Sequence, residues 1–60
     1  MSDIEFYAET RDGLPVQVTY RHIDANIVID VNGLFVEWPL HIAAEVATAL
    51  VGVLAQLAVP

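Results

Sequence analysis

The stretch Ile27-Val28-Ile29-Asp30-Val31-Asn32-Gly33-Leu34-Phe35-Val36-Glu37-Trp38 decides the fold. Asn-Gly is the favoured pair for a two-residue type I′ turn, because both central residues of that turn need a positive φ. Placed on Asn32-Gly33, the turn sets Val31 opposite Leu34, Ile29 opposite Val36 and Ile27 opposite Trp38. All six are apolar and fall on one face, so this hairpin has a side that must be covered.

Upstream, Ile4, Phe6 and Ala8 alternate with Glu5, Tyr7 and Glu9, and Val16, Val18 and Tyr20 alternate with Gln17, Thr19 and Arg21. Period two with β-branched and aromatic residues marks half-buried strands. Register selects the connection between them. A two-residue loop of Asp12-Gly13 sets Ala8 against Gln17 and mixes the faces. A three-residue loop, Arg11-Asp12-Gly13, sets Ala8 against Val16, Phe6 against Val18 and Ile4 against Tyr20, which keeps every apolar residue together. It also puts Gly13 at the left-handed position of a type I turn followed by a bulge. The turn formers of His22 to Asn26 then join the hairpins. A tight connection there places Tyr20 near Ile29 and Val18 near Val31, continuing one apolar face across four strands.

Downstream of Trp38 the character changes. From Pro39 the chain is rich in Ala, Leu and Val, and proline suits a first helical turn. His41, Glu45, Thr48, Gly52 and Gln56 fall within about 80° of a helical circumference. Ile42, Val46, Leu50, Val53 and Leu57 form a seam of large side chains opposite them. A flank of Ala43, Ala44, Ala47, Val51, Ala55 and Ala58 lies between, small enough for another backbone to approach closely. The expected fold is α+β: a four-stranded antiparallel meander over 1–38, then one helix over 39–59 packed on one sheet face, ββββα, in a single small domain.

Such a helix is apolar around most of its surface, whereas a surface helix needs an arc of little more than 100°. It is therefore buried on two sides or enters a membrane. Ile42 to Val59 is near the lower limit for spanning. Glu45 interrupts it, alanines contribute little to insertion, and no Lys or Arg flanks either end. A packed helix is the leading expectation and a C-terminal membrane anchor the alternative.

Geometry then argues for association. Four strands span about 19 Å, and a helix with side chains is only about 10–12 Å across. One helix leaves part of the apolar face uncovered, and its own alanine flank is left over. A 60-residue chain is marginal on its own core. The expectation is a homodimer or small homo-oligomer that self-associates through Ala43, Ala44, Ala47, Val51, Ala55 and Ala58.

Composition narrows the partners. With 2 basic and 8 acidic side chains the formal charge is −6 and the pI near 4.3. This argues against nucleic acid and against anionic lipid, both of which need cations. With 57% hydrophobic residues and a mean hydropathy of +0.59, the chain is not a disordered acidic tail. The outer sheet face presents Glu5, Glu9, Asp30 and Glu37 around Tyr7, Val28 and Phe35. Aromatics in an acidic field suit a basic protein partner.

Chemistry has little support. There is no cysteine, so no thiolate zinc site, disulfide or cysteine nucleophile. The isolated Gly13, Gly33 and Gly52 make no phosphate loop, and Ser2 lies in no nucleophile elbow. His41 and Glu45 are four apart on the helix, a spacing that an intrahelical pair explains. Glu5 and Glu9 share an open sheet face rather than a pocket, which is not where paired carboxylates do acid–base work. The expectation is no catalysis, no metal and no cofactor. A weaker reading is an enzyme or ligand-binding site assembled between subunits around His22, His41 and Glu45. No basic patch leads into an apolar run over Met1 to Thr10, and with cysteine absent the expected compartment is the cytoplasm. The lysine-free, Ala/Val/Asp-rich composition resembles that of chains from GC-rich bacteria or their phages, where a small regulator or inhibitor has this character.

Overall fold

In a computed structural model, described over residues 2–58, five elements follow in order: β1 (Ile4–Glu9), β2 (Pro15–Arg21), β3 (Asn26–Val31), β4 (Leu34–Pro39) and α1 (Leu40–Ala58). The strands form one antiparallel sheet in the order β1-β2-β3-β4, and α1 packs on it, so the fold is α+β, ββββα. Val59, included in the expected helix, lies outside the described residues.

Three rows of paired residues run across the apolar face. They are Ile4–Tyr20–Ile27–Trp38, Phe6–Val18–Ile29–Val36 and Ala8–Val16–Val31–Leu34. Side chains alternate between faces along a strand, so these rows share one side and the polar residues the other.

Each turn has a local cause. Around Arg11-Asp12-Gly13, Thr10 N–H donates to the Leu14 carbonyl and Gly13 N–H to the Thr10 carbonyl, both at 2.9 Å. Gly13 has φ +86°, the left-handed residue that this three-residue loop requires. Asn32 and Gly33 have φ of 54° and 89°, the signature of a type I′ turn. The Asp30 carboxylate accepts the Gly33 N–H at 2.9 Å and locks it.

The β2–β3 connection differs from the tight turn expected. Tyr20 pairs with Ile27 rather than Ile29, and Val18 with Ile29 rather than Val31. The offset of two residues leaves every side chain on its expected face. It arises because Arg21 pairs with Asn26, so His22 to Ala25 stay out of the ladder. The Asp24 carboxylate accepts from Asn26 N–H at 3.2 Å and from the Arg21 guanidinium, holding the four-residue loop. Ala25 closes it at φ 55°. Its carbonyl accepts the N–H of Leu40 at 2.9 Å, a helix N-terminal donor without an intrahelical partner.

The helix opens at Leu40, one residue after the proline expected to begin it. Pro39 instead closes β4, an edge strand, where the missing N–H is tolerated. The helix touches only β3 and β4. Ile42 is half-buried, and exposure then climbs along the seam, from 37% at Val46 through 56% at Leu50 and 58% at Val53 to 77% at Leu57. The helix therefore starts against the sheet and leaves it. On the other half of the apolar face, Ile4 and Phe6 remain 63% and 64% exposed. Among the described residues none is fully buried. The radius of gyration is 13.1 Å, against about 10 Å for a compact chain of this length. The accessible area is 4934 Å², against about 3,900 Å² for a compact monomer of this mass.

Candidate functional site

Two surfaces are built by these elements. The first is apolar and has two parts: the distal helix and the open half of the sheet. The flank residues Ala43, Ala44, Ala47, Val51, Ala55 and Ala58 form a continuous strip along α1, of which Ala43 is half-buried and the rest exposed. A shallow depression of about 370 Å³, lined by Ala44, Glu45, Thr48 and Ala49, lies along the same helix. Thr48 Oγ1 donates to the Ala44 carbonyl at 3.0 Å, so its hydroxyl is satisfied within the helix and adds little polarity to the strip.

The second surface is the outer sheet face. The register places Tyr7, Gln17, Asp30 and Phe35 in one row and Glu5, Thr19, Val28 and Glu37 in the next. Tyr7 and Phe35 therefore stand on opposite edge strands, three spacings or about 14 Å apart, with Val28 beside Phe35's neighbour Asp30. They flank a polar centre and do not touch as one aromatic cluster.

Several of the acidic residues expected to meet a partner also hold the sheet. The Glu5 carboxylate accepts from the Tyr7 phenol at 2.9 Å. Gln17 Nε2 donates to the Tyr7 oxygen at 3.3 Å and to Thr19 Oγ1 at 3.4 Å. The hydrogen bond to Glu5, and then its charge, raise the Tyr7 pKa above the usual 10.0. Glu37 accepts from the Arg21 guanidinium and from Asn26 Nδ2, the latter at 2.7 Å.

Sequence reasoning missed this Arg21 cluster. The guanidinium donates to Asp24 at 2.7 Å and also pairs with Glu37 across two strands. The hydrogen bond to Asp24, then that to Glu37, raise the Arg21 pKa. The hydrogen bond from Arg21 holds the Asp24 carboxyl below its usual 3.8. The available signal was the i, i+3 spacing of Arg21 and Asp24 at a strand end. Among the described residues both salt bridges belong to Arg21, so one of the two cations is committed to the acidic face itself.

His22, His41 and Glu45 are not assembled within one chain. The His22 N–H donates to Asp3 Oδ1 at 2.8 Å, tying the segment before β1 to the end of β2. His41 and Glu45 lie on exposed turns of α1. Among the described residues no three His, Asp or Glu side chains converge as a metal site requires. No protein-family model, curated protein or solved structure matches the chain.

Proposed function

We propose that the chain is a small acidic, non-catalytic protein–protein interaction module that self-associates through its apolar helix as a homodimer or small homo-oligomer. It acts in the cytoplasm as a regulator or inhibitor, of the kind a phage or bacterium encodes, and its outer sheet face meets a basic protein. One observation carries the reading: the four strands and the helix are all formed, yet no described residue is fully buried. Apolar surface left in water costs roughly 25 cal/mol per Å², so a second apolar surface is what this chain lacks.

Size-exclusion chromatography with light scattering tests the self-association. A mass of at least two chains is expected, and a single 6.6 kDa species at micromolar concentration overturns it. For the outer face, Tyr7→Ala with Phe35→Ala abolishes capture of a basic partner while circular dichroism stays native. Capture that survives both substitutions removes that face from the proposal.

The alternative is a membrane-associated protein anchored by α1. It is favoured by the 19-residue length, a mean hydropathy of 1.7 and the absence of any fully buried residue along the helix. Nineteen residues rise about 28 Å, close to the hydrocarbon thickness of about 30 Å. Extraction at alkaline pH separates the readings: an anchored chain stays in the membrane pellet, and a self-associating soluble module does not.

A further inference from the structure

We infer that two copies pair reciprocally, the distal half of each helix lying over the β1–β2 half of the other copy's apolar sheet face. The inference rests on the self-association proposed above and specifies its geometry. Each chain has one surplus and one deficit. The surplus is the seam of α1 beyond Val46, where Leu50, Val53 and Leu57 are progressively more exposed. The deficit is the part of the apolar face that α1 leaves open: Ile4 and Phe6 on β1, the strand farthest from the two that α1 lies nearest, β3 and β4, and also Leu34 at the far end of β4, 82% exposed.

The two parts match in kind and size. The apolar rows carry no charged side chain at any of their twelve positions, and neither does the seam. Two strands span about 10 Å, the width that one helix covers. The β1–β2 part of the deficit is therefore one helix wide, and a two-fold axis supplies one helix to each sheet. The excess of accessible area over a compact monomer is about 1,000 Å² per chain. Two chains hiding that excess bury about 2,000 Å², the size at which obligate homodimers begin. Each helix keeps the same seam against a sheet along its whole length, first its own and then the other copy's. The two helices then run side by side, which brings the alanine flanks together.

The test uses the unaltered chain. Mixing isotope-labelled and unlabelled copies and recording contacts only between them should show the Phe6 ring against the methyl groups of Leu50, Val53 and Leu57. Inter-chain contacts confined to Ala47, Val51 and Ala55, with a two-chain mass, overturn this geometry and leave self-association standing. A one-chain mass overturns both. Phe6→Asp gives a second readout, since a residue so exposed within the chain is replaced without loss of the strand. It should weaken association at least tenfold, whereas Ile23→Asp, in the β2–β3 loop at 88% exposure, leaves it unchanged. Equal effects of the two substitutions overturn the inference.

Discussion

At single residues, backbone conformation separates what the sequence announces from what it hides. Gly33 announces itself, since Asn-Gly between apolar alternations demands a positive φ. A Cβ placed on Gly33 meets nothing within 4 Å, so the cost of a substitution there is backbone strain alone. Gly33→Ala should cost about 1 kcal/mol, read as a lower urea midpoint. Ala25 is silent, because alanine signals no turn, yet it sits at φ 55° to close a loop and aim its carbonyl at Leu40. Ala25→Gly should therefore stabilise the chain by roughly 0.5–1 kcal/mol, net of the greater freedom of unfolded glycine. A lower midpoint for that variant would mean that the strain is absent. Charge gives a third expectation. Asp24 is held below its usual pKa by Arg21, so its contribution is present above the unfolded value and is lost as pH falls through the folded one. Carbon-detected titration should place its midpoint below 3.8, and Arg21→Gln should return it upward. Tyr7 runs the other way. Its pKa is raised, so the phenol's bond to Glu5 is present below pH 10 and is lost as pH rises through the folded value.

Among the elements, the two hairpins were legible because turn chemistry and face pattern agree independently. The Asn32-Gly33 and Arg11-Asp12-Gly13 loops each admit a register that unites apolar residues, and the pairs Val31–Leu34 and Ala8–Val16 follow from it. The middle register was not legible to the residue. A shift of two preserves the faces, and the side-chain contacts that hold the observed loop, Arg21 with Asp24 and Asp24 with the Asn26 N–H, are not encoded by any periodicity. The helix was legible as a helix, while its point of departure from the sheet was not, because that depends on where Ala25 captures Leu40. α1 has no acidic residue in its first turn and no basic residue in its last, so neither end is matched to the helix dipole. Most of a helix's stability in a protein comes from packing its apolar face rather than from propensity, and α1 packs only its first turns within the chain. Helicity should accordingly fall as the protein is diluted through its dissociation range, seen as loss of ellipticity at 222 nm before the sheet signal changes. Helicity independent of concentration would place the helix's stability within the single chain.

For the whole molecule, charge and apolar area pull association in opposite directions, and salt tells them apart. Each chain carries −6, so pairing brings two like charges of that size together while removing apolar surface from water. Added salt screens the repulsion over a Debye length of about 8 Å at physiological ionic strength and leaves the apolar gain intact. The proposed dimer should thus tighten as salt rises from low to physiological levels. Binding of a basic partner to the outer face must behave in the reverse sense, because there the charges attract. Both surfaces exist on one chain, so one salt series read by sedimentation, with and without a cationic partner, assigns each association to its face. Mass action adds an independent check. Unfolding of a pair into two chains shifts by about 1.4 kcal/mol for each tenfold change in concentration. The urea midpoint of the wild-type chain should rise with protein concentration, and that of Phe6→Asp should rise less. A midpoint that ignores both concentration and salt would mean that the exposed seam of α1 and the open β1–β2 face never meet a second copy.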